Sequence, residues 1–256
     1  MSMNRREFLK VSTLAGGGLV LGVSFAGCAS RQKRKMREAV ERTGEFRANM
    51  YLTIQPDDRV VVQVEKSEMG QGVLTSHSMM VAEELSVPLD KIEATHSPAT
   101  PEYKGRFGTQ LTGGSTSLKT TFVPVRKAAA SARIMLVSAA ASMWGVDTAS
   151  CNAKDGRVIH EPSGREYRYG ELLGKAAQMP IPNDPPLKPP SEFEVLGESS
   201  TRVDAVEKVD GSGVFGMDVD VENMVNALVL HPPVFGAQPE SVDPGKAADM
   251  PGVVDI

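Results

Sequence analysis

Apolar residues recur at helical spacing in two stretches of the chain. In the first, Leu74, Met80 or Val81, and Leu85 share one face of a helix predicted over residues 75–85, which Ser86-Val87-Pro88 ends. In the second, Val125, Ala129, Ala132, Leu136, Ala139 and Met143 form the apolar face of a long Ala-rich helix that closes at Gly145 and carries Pro124 near its start. Strand-like runs lie around them. Residues 51–55 and 59–65 flank the turn Pro56-Asp57-Asp58 and predict a hairpin, and 91–96 reads as a short strand. An irregular loop follows over 97–108, with Tyr103, Arg106 and Phe107 as candidate ligand-facing residues. Residues 151–153 and 157–160 pair around Asp155-Gly156, and 169–178 reads as a short helix. Helices and hairpins in this order predict an α+β fold.

Six prolines within residues 180–190 predict an extended, rigid connector and a domain boundary. Beyond it, residues 203–209, 213–221 and 227–230 are strand-like, and another strand pattern begins at 253–256 with nothing to pair with it. That pattern suggests the front part of something longer, whose open strand edge would favour aggregation.

Composition adds little to the fold and more to the function. Net charge is −4, but residues 1–27 carry +2 and residues 31–48 carry +4, leaving −10 from Asn49 onward. An acidic body does not point to nucleic acid. The two cysteines, Cys28 and Cys151, have no metal-ligand spacing, so the chain is expected to carry no iron–sulfur cluster of its own. Cys151 reads as a small buried hydrophobe and His77 as a helix-surface or packed histidine.

The N-terminus reads as an export signal. Asn4-Arg5-Arg6-Glu7-Phe8-Leu9-Lys10 has the twin-arginine pattern, and residues 11–25 are too short and too weakly apolar for a membrane span. Phe25-Ala26-Gly27-Cys28 resembles a lipobox with Phe in place of Leu, which makes Cys28 a candidate lipidation site. The alternative is ordinary cleavage near Ala29 and a soluble periplasmic protein. Residues 31–48 then form a polar linker, either a solvated basic helix or a membrane-surface segment.

Two glycine-rich stretches carry the candidate chemistry. Glu68-Met69-Gly70-Gln71-Gly72 runs into the first helix, and Gly113-Gly114-Ser115-Thr116-Ser117 opens the second. Glycine admits positive φ and close approach of a ligand to the main chain. Helix starts present unpaired N–H groups and favour anions, while Gln, Ser and Thr add side-chain donors. Taken singly, each stretch is also an ordinary strand-to-helix turn. As a pair they suit a large anionic ligand held from two sides.

These residues resemble a known family. Glu68-Met69-Gly70-Gln71-Gly72-Val73, Val81-Ala82-Glu83-Glu84-Leu85, Thr112-Gly113-Gly114-Ser115-Thr116-Ser117, Trp144-Gly145-Val146 and Tyr169-Gly170-Glu171-Leu172 are similar to the molybdopterin-binding large subunit of the xanthine dehydrogenase and aldehyde oxidase family, in the branch of isoquinoline 1-oxidoreductase beta subunits. After the proline-rich stretch, Arg202-Val203-Asp204, Lys208-Val209-Asp210-Gly211, Phe215-Gly216-Met217-Asp218-Val219 and Pro232-Pro233-Val234-Phe235-Gly236 resemble the start of an α/β hammerhead domain. The resemblance implies a molybdenum–pterin cofactor, as molybdopterin or its cytosine dinucleotide form. It implies that Gly70, Gln71 and Gly72 line one side of the cofactor, and that Thr112, Gly113, Gly114, Ser115, Thr116 and Ser117 line another.

The resemblance also implies hydroxylation of an aldehyde or an N-heterocycle with oxygen from water. A small 2Fe–2S subunit receives the electrons, an electron-accepting cytochrome is a further candidate partner, and the rest of the large subunit completes the enzyme. The domains it implies are a signal over 1–30, a polar linker over 31–48, part of the cofactor-binding domain over 49–179, the proline-rich linker over 180–200 and an incomplete hammerhead over 201–256. In the family a catalytic glutamate lies near the end of a much longer chain. None of Glu65, Glu68, Glu83 or Glu84 takes that role, so no catalytic residue is assigned. The leading reading is thus the N-terminal part of an exported molybdenum hydroxylase. The alternatives are a non-catalytic remnant or split cofactor-binding module, and an unrelated lipoprotein with phosphate-binding glycine loops.

Overall fold

The computed structural model describes Arg34, Arg37, Glu38 and residues 40–104 and 108–256. The twin-arginine stretch, Cys28, Arg106 and Phe107 lie outside the described residues. The chain divides into a unit that ends at Gly211 and a second unit, Ser212–Ile256.

Among the described residues from Phe46 onward, the first unit is built from two sheets and four α-helices. Strands β1 (Phe46–Arg47), β2 (Leu52–Ile54), β3 (Val60–Val64) and β4 (Ile92–His96) form one sheet in that order. The first two pairings are antiparallel, and β3 and β4 run parallel. Parallel neighbours need a crossover, and helix α1 (Val73–Leu85) supplies it. Val60, Val62 and Val64 alternate inward beneath α1, as a half-buried strand requires. Strand β1 lies in the stretch expected to be linker; with Phe46 fully buried, the core begins earlier than the charged sequence suggests.

Helix α2 (Ser117–Trp144) packs against α1. Its buried face is largely Ala128, Ala129, Ala132, Ala139 and Ala140, small side chains that let the backbones approach closely. Gly145 takes φ 67 and ends the helix, so the predicted boundary holds. Strands β5 (Cys151–Lys154), β6 (Arg157–His160) and β7 (Arg165–Arg168) form a second, antiparallel sheet. Helix α3 (Tyr169–Ala176) follows directly. It docks on the β2–β3 turn, where the Gly170 N–H donates to Asp58 Oδ1 at 2.7 Å and Arg168 Nη1 donates to Asp58 Oδ2 at 2.9 Å. Tyr169 Oη donates to the Leu85 carbonyl at 2.6 Å, tying α3 to the end of α1. Cys151 is buried, as expected of a small hydrophobe.

The proline-rich segment is fastened to this core by two adjacent glutamates of α1. Glu83 Oε2 accepts the N–H groups of Glu194, Val195 and Leu196 at 2.9, 2.7 and 3.1 Å. Glu84 Oε1 accepts from Arg126 Nε at 2.9 Å and Nη2 at 2.6 Å, and Arg126 also donates to the Lys188 carbonyl. The Arg126 guanidinium lies 4.9 Å from the ring centres of both Phe122 and Phe193. Burial works against the Glu83 charge, but the N–H bonds from Val195 and Leu196, with Lys188 and Glu194, outweigh it and hold its pKa below the usual carboxylate range.

Residues 203–209 do not form the predicted strand; helix α4 (Ala205–Asp210) occupies them, ending at Gly211 with φ 84. Asp204 explains the switch. It accepts from Arg202 and Lys208, an i,i+4 pair that a strand cannot make. In the second unit the strands expected over 213–221, 227–230 and 253–256 are absent, and a single 3-10 turn, Gly245–Asp249, is the regular element among its described residues. The β pattern is present, but a strand needs a neighbour to satisfy its backbone. Leu228, Leu230 and Phe235 are fully exposed. The α+β organisation is therefore seen in the first unit, and no hammerhead strands are seen. No helix among the described residues is long and apolar enough to cross a membrane.

Candidate functional site

The first glycine-bearing loop leaves β3 and turns into α1 at Val73. Gly70 and Gly72 adopt φ 102 and 81, left-handed values that side chains with a Cβ resist. Glu68 folds back over the helix start. Its Oε1 accepts the N–H groups of Gly70 at 2.9 Å and Gly72 at 3.0 Å, and its Oε2 accepts that of Leu74 at 3.2 Å. The anion that a helix start favours is thus supplied by the chain itself. Arg202 closes the arrangement from above. Its Nη2 donates to Glu68 Oε1 at 3.1 Å, its Nη1 to the Gly70 carbonyl at 2.8 Å, and its Nε and Nη2 grip Asp204 at 3.0 and 2.9 Å.

Electrostatics follow this geometry. Partial burial raises the Glu68 pKa, but bonds from Gly72, Leu74, Gly70 and Arg202 overcome it and hold the carboxyl below its ordinary range. The Arg202 bonds, opposed by burial and aided by Lys208, bring Asp204 down to about 2. The Gln71 side chain is also used within the loop. Its Oε1 accepts from the Met69 N–H at 2.7 Å and its Nε2 donates to the Ser67 carbonyl at 2.8 Å. It shapes the loop rather than reaching out of it.

The second glycine-bearing loop lies beside the first. Thr112 Oγ1 accepts from the Ser67 N–H at 2.8 Å, and Lys66 Nζ donates to the Leu111 carbonyl at 3.0 Å. Residues about forty-five positions apart in sequence are thereby joined, as the paired-loop reading requires. The start of α2 differs from that of α1. Thr116 is the N-cap but makes no side-chain cap; its Oγ1 donates instead to the Gly113 carbonyl at 2.8 Å. The N–H groups of Ser117, Leu118 and Lys119 and the hydroxyls of Ser115 and Ser117 have no partner among the described residues. Gly114 and Ser115 take φ 61 and 53, and a Cβ at Gly113 would meet nothing within 4 Å.

The nine sequence-predicted residues therefore fall into two groups. In the second loop the Thr112 and Thr116 hydroxyls are used internally, while Ser115 and Ser117 present unused donors at an open helix start, which fits an anionic, acceptor-rich group such as a pterin cofactor. Gly70, Gln71 and Gly72 border the same region, but Glu68 already takes the Gly70, Gly72 and Leu74 amides, leaving the Gln71, Val73 and Thr75 N–H groups without an acceptor among the described residues. A small cleft of about 100 Å³ between the loops and the sheet is lined by Lys66, Ser67, His96, Ser97, Gln110 and Thr112. Its volume suits a few waters or a small ion, whereas ligand pockets for molecules of pterin size are roughly 300 Å³ or more. Among the described residues, no group of three or more His, Cys, Asp or Glu could hold a metal ion.

Sequence reasoning missed Glu68 and Arg202 as parts of this site. An acidic residue just ahead of a helix start was a usable signal for Glu68. Arg202 left no local signal, because its partner is 134 residues away.

Residues 3–224 match the family described as molybdopterin cofactor-binding domain. The chain is 30% identical to the beta subunit of isoquinoline 1-oxidoreductase from Brevundimonas diminuta, over 98% of this chain and 36% of that protein. It is 27% identical to membrane-bound aldehyde dehydrogenase (pyrroloquinoline-quinone) of Gluconacetobacter polyoxogenes, over 99% of this chain and 32% of that one. With a nicotinate dehydrogenase subunit of Pseudomonas putida it shares 30% identity over 81% of this chain and 18% of the relative. The chain spans about a third of the length of the first two.

Proposed function

Because the chain belongs to the molybdopterin cofactor-binding domain family, we propose that it supplies one wall of a molybdenum–pterin site in an oxidoreductase that hydroxylates an aldehyde or an N-heterocycle. The single observation that supports this most is the pairing of the two glycine-bearing loops, with the open start of α2 between unused Ser115 and Ser117 hydroxyls. When bound, the cofactor supplies the redox chemistry. This chain's own residues bind and orient it: the Ser117, Leu118 and Lys119 amides and the two serine hydroxyls take its acceptor groups, and Gly113 and Gly114 let it approach the main chain. The names of the relatives span isoquinoline, nicotinate and aldehyde oxidation, so the substrate class stays at that breadth. Two of them are named as subunits, which supports the presence of other subunits, and a small 2Fe–2S subunit is the partner this reading proposes. Twin-arginine export to the periplasm, tethering through Cys28 and a hammerhead start after residue 200 belong to the same proposal.

Metal and pterin analysis tests it, on the chain alone and on the chain co-expressed with a homologous downstream region and an iron–sulfur partner. Molybdenum and pterin in the co-expressed sample are the expected result. The double variant S115A/S117A should weaken cofactor binding by roughly a hundredfold or more, since each hydrogen bond to a charged group contributes about 1.5–3 kcal/mol. Its melting temperature should not change, because neither hydroxyl has a partner among the described residues. Absence of molybdenum and pterin from both samples removes the assignment and leaves a remnant. Quinone in place of pterin would favour the cofactor named for the aldehyde dehydrogenase relative.

A further inference from the structure

Helix α1 is held at both ends by one downstream segment. At its C-terminal end, the fully buried Glu83 carboxylate gathers three consecutive N–H groups, those of Glu194, Val195 and Leu196. At its N-terminal end, the Val203 N–H donates to Thr75 Oγ1 at 3.1 Å, and Arg202 bonds Glu68 and the Gly70 carbonyl. Leu196 and Arg202 are six positions apart, a span of about 20 Å at most. The axial rise between the two anchored helix residues, Thr75 and Glu83, is about 12 Å. The segment therefore spans α1 with length to spare, and its two anchors, on Glu83 and on Thr75, fix where Arg202 arrives.

Arg202 bonds the loop at two points, the Glu68 carboxylate and the Gly70 carbonyl. A Cβ on Gly72 would lie 3.8 Å from its Nη1. Glu68, which it neutralises, is itself the acceptor for three of the loop and helix-start amides. Asp204, gripped on the other edge of the guanidinium and bonded by Lys208, sets the plane of the fork. A planar five-donor group can serve a carboxylate on each side and a carbonyl at once; a lysine ammonium cannot hold that geometry.

We propose that Arg202 is a positioning residue for the Gly70–Gly72 loop: delivered by the segment anchored on Glu83, it locks the loop into the conformation that faces the cofactor. The cofactor half of this statement rests on the function proposed above. Glu68 in this arrangement is an internal cap, not a ligand or a base.

Hydrogen exchange on the 256-residue chain tests the lock. In Arg202→Gln, the Gly70, Gly72 and Leu74 amides should exchange at least tenfold faster, while the β5–β6 hairpin stays as in the parent. Glu68→Gln should do the same, and Arg202→Lys should restore only part of the protection. Unchanged exchange at these three amides overturns the proposal. So does a uniform rise over all peptides in both Arg202 variants, which makes Arg202 a general stabiliser. Molybdenum–pterin content of the co-expressed protein should fall in parallel with loop protection. A loosened loop with undiminished content removes the loop from the cofactor site, a failure of the functional reading and not of the lock.

Discussion

His77 is fully buried on α1, with Nδ1–H donating to the Val73 carbonyl at 2.9 Å and Nε2 left without a partner among the described residues. Burial is the main force on its pKa, with Lys66 adding to it and the Val73 bond opposing it; the result is about 4 against an ordinary 6.5. The unfolded chain therefore takes up a proton below pH 6.5 that the folded chain refuses. Stability is full above that pH and falls as the pH drops from 6.5 toward 4, by roughly 3 kcal/mol at the end of the window. Urea midpoints of the parent should decline across this range, and those of His77→Leu should be flatter. Equal slopes in the two proteins would rule His77 out as the cause. At lower pH a separate loss begins, as Glu68, Glu83 and Asp204, all held low by their partners, become protonated. The residue types were legible in the sequence, and the packed reading of His77 was correct. Its missing partner was not legible, because that depends on what surrounds the ring.

Helix α3 shows how a single glycine can decide an element's placement. A Cβ at Gly170 would lie 2.2 Å from the Pro56 carbonyl oxygen and 2.9 Å from Asp58 Oδ1. Backbone cannot yield there without moving α3 off the β2–β3 turn. Gly170→Ala should cost roughly 2–3 kcal/mol by overpacking. Gly174, one turn on, has nothing within 4 Å of its added Cβ and sits in helical conformation. Gly174→Ala should be neutral or stabilise by up to about 1 kcal/mol. Denaturant unfolding of both variants measures the contrast, and similar effects from the two would show that close approach is not what Gly170 provides. At this scale the sequence was read well where local signals are strong. Both long helices, the first two hairpins and the Gly145 stop follow from periodicity and capping residues. Strand β1 was missed because two residues carry no period. The 203–209 stretch was misread because its alternation suits a strand, while Asp204, Lys208 and Gly211 favour a short helix.

Across the whole molecule, the unit ending at Gly211 has a continuous core, and Ser212–Ile256 exposes its large apolar side chains, Leu230 at 98% among them. Exposed apolar side chains in this number favour association. The chain should self-associate with rising concentration in light scattering, and replacing Leu228, Leu230 and Phe235 with Ser should reduce it. A parent that stays monomeric over the same range sinks this expectation. The amino-acid sequence by itself determined the order of elements in the first unit, the two glycine-bearing helix starts and the family to which they point, because periodicity, caps and positive-φ glycines act over a few residues. Tertiary structure decided which of those starts is open. Glu68, held by Arg202 from 134 residues away, caps part of the first, and no carboxylate among the described residues reaches the second. It also decided that the proline-rich stretch is strapped to α1, since the glutamates that hold it lie about 110 residues upstream. Such choices depend on groups meeting across the fold, where the energy of a contact is set by burial and geometry and not by neighbours in the chain.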